Sequence, residues 1–438
     1  MLGLTLEIPG LLPGVARRVR CRAWPLALTA LTVLTGMANC LWLAPELHHG
    51  GWAYPGDIWS AYRSAHFVAW GAIGSIYSAG TYLVTFPGMV VALAPLAGLT
   101  GALGMSEGFP MHIPHPTAWL VLGPYEMVVG CTALFACDAV AQRLGAAPGR
   151  RAVLCVAQAV ALWPVLVIWG HPEDALALAL ALYALLFVLD GRWSGAGWLF
   201  GAAVATQPLV LLALPVLMAV TGARRAPGLL TRAFLPAAVL LAGPLVGDFH
   251  VTVHALVAQP NYPVIDHVTP WTSLAPKLGG SGRDVAVAAG PGRVVAVLGA
   301  CVLGWTVRRW RTRPELVVWI AAAALGLRCL TESVMVAFYL WPVLAVGMVA
   351  ASSLPRRRAA LAVVAAVSVT VSSQFGLPGW SWWWVTNAGM LLVLLAGIAS
   401  RTSGARTSRV DGRLPIPPDA AGAEVVRAPT RMLVRTAR

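Results

Sequence analysis

Long apolar runs, each close to the length that spans a bilayer, recur along almost the whole chain and are parted by short polar stretches. They predict helices at roughly 24–43, 83–103, 118–142, 152–169, 174–189, 195–220, 232–248, 288–306, 315–331, 334–353, 359–375 and 383–400. That is an all-α, polytopic integral membrane protein with about twelve crossings. An even count puts both termini on one side. Arg17, Arg18, Arg20 and Arg22 before the first run, and Arg401, Arg406, Arg409 and Arg413 after the last, argue that this side is the cytoplasm. The chain therefore divides into a cytoplasmic segment over 1–23, a transmembrane body over 24–400 and a basic cytoplasmic tail over 401–438. The tail is rich in Arg, Pro, Ala and Gly without helical period, which predicts disorder.

Two polar stretches are long enough to build a site, and both fall outside by this count. The first, 44–82, carries aromatic and small residues and reads as short helices lying at the interface. The second covers 249–287. The same count puts Arg150-Arg151 and Arg192 outside, against the positive-inside tendency, and His171 to Asp174 inside. Pro164, Pro172, Pro208 and Pro215 stand where each can interrupt a span and reverse this middle region.

Composition agrees with a membrane location. Of 438 residues 58% are hydrophobic and 11% charged, with a mean hydropathy of +0.74, whereas a soluble domain runs near 25% charged. The first run is of full length and others follow, so it reads as a retained helix and not as a cleaved signal peptide. The net charge of +14 lies in arginines of short loops and the tail, which describes orientation in a membrane, not nucleic-acid binding. Seven cysteines are scattered, without CxxC or Cys/His spacing, and predict neither a metal site nor a cofactor. Gly-rich phosphate loops are absent too, so a sugar donor would have to be carried by lipid.

Charge at membrane depth is expensive and is usually functional or paired. Asp57 stands in the first polar loop, Gly50 to Arg63, among aromatic and turn residues. It reads either as a catalytic carboxylate or as the N-cap of a short helix beginning at Ile58. Gly170-His171-Pro172-Glu173-Asp174 is a polar knot between two apolar runs. It reads as a broken helix that meets a polar ligand, or as a turn whose Glu173 and Asp174 suit the start of the next helix. Arg328 and Glu332, four apart, can neutralise each other, and Glu126 and Asp138 share one helix. Among the histidines, His66, His250, His254 and His267 belong to the outer half.

The order of these features resembles the C-fold (GT-C) glycosyltransferases, membrane enzymes that use polyprenyl-phosphate sugars. It looks most like the mannosyltransferase branch that builds actinobacterial phosphatidylinositol mannosides and lipoglycans. The carrying residues are Asp57, then Gly74-Ser75-Ile76-Tyr77, Phe86-Pro87 leading to Ala94-Pro95-Leu96-Ala97, the knot at 170–174, and Gly201 to Pro208. Tyr62, Gly88 and Gln207 depart from that pattern and bear on subfamily and sugar. The resemblance implies that Asp57 is a general base. It would serve inverting transfer of a sugar, mannose first, from a polyprenyl-phosphate donor to a glycolipid or polysaccharide acceptor, on the extracytoplasmic face of the plasma membrane. Arg63, His66, His267 and Lys277 are candidate cations for the phosphate, and His171, Glu173, Asp174 and Glu332 candidate substrate contacts. A transporter or flippase of a lipid-linked or small polar solute is the alternative, and a non-catalytic scaffold a third reading. No internal repeat is evident, which argues against the transporter.

Overall fold

In the computed structural model the described residues are 22–43, 51–78, 80–108, 113–259, 261–263, 266–279 and 285–398, and elements are numbered over these. The segment before Arg22 and the tail from 401 lie outside them. The body is mostly helical. Six helices are long and apolar enough to cross a membrane: Ala23–Leu43, Trp119–Arg143, Pro148–Trp169, Pro172–Leu189, Ala226–Gly247 and Pro314–Thr331. In order the helices are α1 Ala23–Ala38, α2 Ile58–Ala69, α3 Gly88–Ala102, α4 Trp119–Arg143, α5 Pro148–Pro164, α6 Pro172–Leu189, α7 Trp193–Thr206 and α8 Leu214–Thr221. They continue with α9 Ala226–Gly247, α10 Phe249–Ala258, α11 Gly292–Val307, α12 Pro314–Thr331, α13 Trp341–Ala351, α14 Arg356–Ser372 and α15 Ser381–Gly397.

Proline sets several of the breaks. After Pro164 the helix widens into a π turn over Val165–Trp169. Pro172 opens α6 and Pro215 lies in the first turn of α8, positions where the missing N–H costs nothing. Pro208 ends α7, and a 3₁₀ stretch, Pro208–Ala213, leads into α8.

The bundle has two chemically different ends. At one, Arg143 pairs with Asp190 and Arg150 donates to the carbonyl of Leu354 at 2.7 Å. Asp138 accepts from both Arg22 and Arg151 there, and Trp193, Arg225 and Arg311 line one cavity. The other end carries Asp57, His171 and Glu173 around another cavity.

This arrangement corrects the order expected for the middle of the chain. Arg150, Arg151 and Arg192 belong to the arginine-rich end, and His171 to Asp174 to the opposite one. Two apolar runs cause the difference. The run at 83–103 does not lead from end to end, since Thr85 lines the Asp57 cavity while Ser106 bonds Thr117 just before α4. Its helix α3 packs instead on α2, with the Tyr62 hydroxyl on Thr100. The run at 195–220 turns back at Gln207, whose side chain reaches Asp174.

The second outer loop departs from an all-α reading. Strand β1 (His267–Val268) pairs antiparallel with β4 (Val334–Met335), and β2 (Lys277–Gly279) with β3 (Ala286–Val287). Outside the bundle the backbone groups have no helix to satisfy them, and short ladders do so. The β1–β4 pair ties this loop to the turn after α12.

Candidate active site

The site is assembled where the knot meets the first loop. Gly170 has φ +69, and a Cβ there would lie 2.8 Å from Pro55, so only glycine allows this backbone and this approach. Pro172 then starts α6, leaving His171 in a non-helical conformation just before it. Its ring turns towards the first loop and stacks on Phe338, centroids 3.8 Å apart.

Both ring nitrogens of His171 meet carboxylates. Nδ1 is 2.6 Å from Glu173 Oε1 and Nε2 is 2.9 Å from Asp57 Oδ2. A carboxylate oxygen accepts, so both nitrogens donate and the ring is an imidazolium. Burial presses its pKa down, but the charge of Glu173 and the hydrogen bonds to Asp57 and Glu173 outweigh this and hold it well above the ordinary histidine value. The Glu173 side chain is 7% exposed and that of Asp57 61%. The relay is thus anchored inside the bundle and presents its carboxylate to solvent.

Asp57 occupies the N-cap position of α2 but has helical φ and ψ and makes no capping hydrogen bond. The capping reading is overturned. By contrast Asp248 does cap, accepting from the Val251 N–H at 3.0 Å.

Asp57, His171 and Glu173 line a cavity of about 530 Å³ with Asp266, Tyr262 and Tyr339. Burial pushes Asp266 up to about 6; Asp57 adds to this, against a backbone hydrogen bond at Tyr262 and the charge of His171. Asp266 and Tyr262 come from the second outer loop, so both long loops contribute.

The remaining candidates go elsewhere. Arg63 reaches towards Gly80 and does not line the cavity. His66 donates from Nδ1 to the Tyr62 carbonyl and faces Glu107 at 3.4 Å between α2 and α3. His267 stacks on Trp382, rings 3.8 Å apart, and Lys277 lies exposed on β2. These four are not brought to Asp57. Asp174, buried, accepts from Gln207 Nε2 at 2.8 Å. Glu332 lies between Arg328 and Arg293 on a neighbouring cavity. The i,i+4 pair therefore forms, but with a second arginine that spacing did not signal. Trp59 and Trp382 are buried in the core.

No group of histidine, cysteine and acidic residues able to hold a metal ion occurs among the described residues. No family model matches the chain, and no curated protein matches it.

Proposed function

We propose that the chain is a membrane-embedded, inverting sugar transferase with Asp57 as its general base. It moves a sugar, mannose first, from a polyprenyl-phosphate donor to a glycolipid or polysaccharide acceptor. The carrying observation is the 2.9 Å contact of His171 Nε2 with Asp57 Oδ2 beside a sugar-sized cavity. One Asp57 oxygen is fixed by the imidazolium, and the other is free to take a proton from an acceptor hydroxyl. That hydroxyl oxygen forms the new bond to the anomeric carbon as the carbon–phosphate-oxygen bond breaks, and its electron pair leaves on the phosphate. A single displacement inverts the anomeric centre, unlike hydrolysis through two carboxylates and a covalent intermediate. Polyprenyl phosphate is a good leaving group and needs no separate acid.

The distribution of charge supports the orientation. The arginine-rich end is the one the positive-inside tendency assigns to the cytoplasm, and this supports the reading of Asp57 on the extracytoplasmic face of the plasma membrane. With α3 not crossing and the 193–221 stretch crossing twice, about twelve crossings remain.

A proton-coupled transporter is the second reading, favoured by Glu126. It is fully buried, neither of its carboxylate oxygens has a hydrogen-bond partner among the described residues, and it feels the charges of Glu173 and His171.

The test is in vitro transfer by the purified protein from radiolabelled polyprenyl-phosphate-mannose, then the arabinose donor, to a membrane lipid extract. Labelled lipid of inverted configuration is expected. No product from either donor, with proton-dependent solute uptake in vesicles, would move the assignment to the transporter.

A further inference from the structure

A second cavity, of about 190 Å³, lies beside the first and is built differently. Its walls are apolar, with Leu209, Leu211 and Leu212 on one side and Ala296 and Val297 of α11 on the other. Helix α11 turns Val294, Val297 and Leu298 outward, each more than half exposed. The groove therefore opens among apolar side chains, where lipid tails run.

One end of the groove is cationic. Arg293 Nε is 3.2 Å from Glu332 Oε1, and Arg328 Nε is 3.2 Å from Glu332 Oε2. Arg293 Nη1 also donates to Gln259 Oε1 at 2.6 Å. A guanidinium carries five N–H donors, so most donors of both arginines remain for what enters the cavity. Glu332 balances one of the two charges. Asp174, the other carboxylate whose charge Arg328 feels, already accepts from Gln207. Paired guanidinium forks suit the oxygens of a phosphate.

We propose that this groove holds a lipid phosphate, with its hydrocarbon chain along Leu209–Leu212 and Val297 and its phosphate oxygens on Arg293 and Arg328. The role as leaving group rests on the transfer reading; the binding site does not. The Arg328 guanidinium lies over the Tyr339 ring at 3.5 Å, and Tyr339 lines the Asp57 cavity. Tyr339 thus touches both the arginine end of the groove and the cavity that Asp57 lines. In the transfer step the arginines stabilise the electron pair that arrives on the phosphate oxygen, while the acceptor's proton goes to Asp57.

The test is equilibrium binding of radiolabelled polyprenyl monophosphate to the full chain in detergent, with inorganic phosphate and unphosphorylated polyprenol as competitors. Arg293→Gln and Val297→Trp should each weaken binding about ten- to hundredfold. Val297 faces outward, so its variant keeps the test decisive if Arg293→Gln fails to fold. Wild-type affinity in both variants, or competition by inorganic phosphate equal to that by the lipid, overturns the proposal. Loss of binding in these variants with no transfer of any sugar keeps this site and removes the transferase reading.

Discussion

His171 donates from Nε2 to Asp57 Oδ2 at 2.9 Å, across 114 residues of sequence. The contact fixes one carboxylate oxygen of an otherwise exposed side chain. Its rigidity comes from the other side of the ring, where buried Glu173 holds Nδ1 and Phe338 holds the face. A base positioned in this way starts its reaction without searching rotamers, and small misplacements are expensive.

His171→Gln retains an N–H donor but loses the link to Glu173 and the positive charge. Turnover should fall by about 10²-fold with KM little changed, read by steady-state transfer kinetics. Unchanged turnover would remove His171 from positioning.

Glu173→Gln removes the buried charge that holds the imidazolium against the pull of burial, so the His171 pKa should drop. In the wild type the raised pKa contributes stability that is complete below the ordinary histidine value and is lost as pH rises through the folded value. The variant should lose it at lower pH. Melting temperature followed from pH 6 upwards checks this, with the wild type holding its stability to higher pH.

Asp266 titrates at about 6 in the fold, above the ordinary aspartate value. Between those values the folded state binds more protons than the unfolded, so wild-type stability should fall as pH rises through that window. Asp266→Asn should flatten this fall, as scanning calorimetry from pH 4 to 7 would register.

Asp138 is a contrasting acid. It is buried, far from the cavity, and accepts from Arg22 and Arg151. Asp138→Asn leaves two cations unneutralised and should cost about 3 kcal/mol of stability. Turnover per folded molecule should not change, and active-site titration beside thermal melting separates the two effects.

Much of the fold was legible because a bilayer demands long apolar helices, and runs such as 118–142 and 315–331 carry that signature plainly. The run at 83–103 misled because hydropathy does not distinguish a helix facing lipid from one facing another helix. Helix α3 has both of its flanks at the Asp57 end, with Thr85 on the cavity and Ser106 bonded to Thr117 before α4. In the site, Asp57 and the 170–174 knot stood out as polar groups between apolar runs. Their mutual contact did not, since pairing across so many residues leaves no periodic trace. Arg293 was hidden similarly: it meets Glu332 39 residues away, inside a stretch that reads as an ordinary span. His66 and His267 were attractive by residue type, but their partners, Glu107 and Trp382, came from tertiary packing.

The central claim is that Asp57 removes the acceptor's proton, and the rate of sugar transfer by Asp57→Asn against wild type measures it most directly. Asparagine keeps the size of the side chain and an oxygen to meet His171, but cannot act as the base. Transfer should fall by roughly 10²–10⁴-fold, with the variant still folded and still binding polyprenyl monophosphate. Transfer at the wild-type rate would contradict the account.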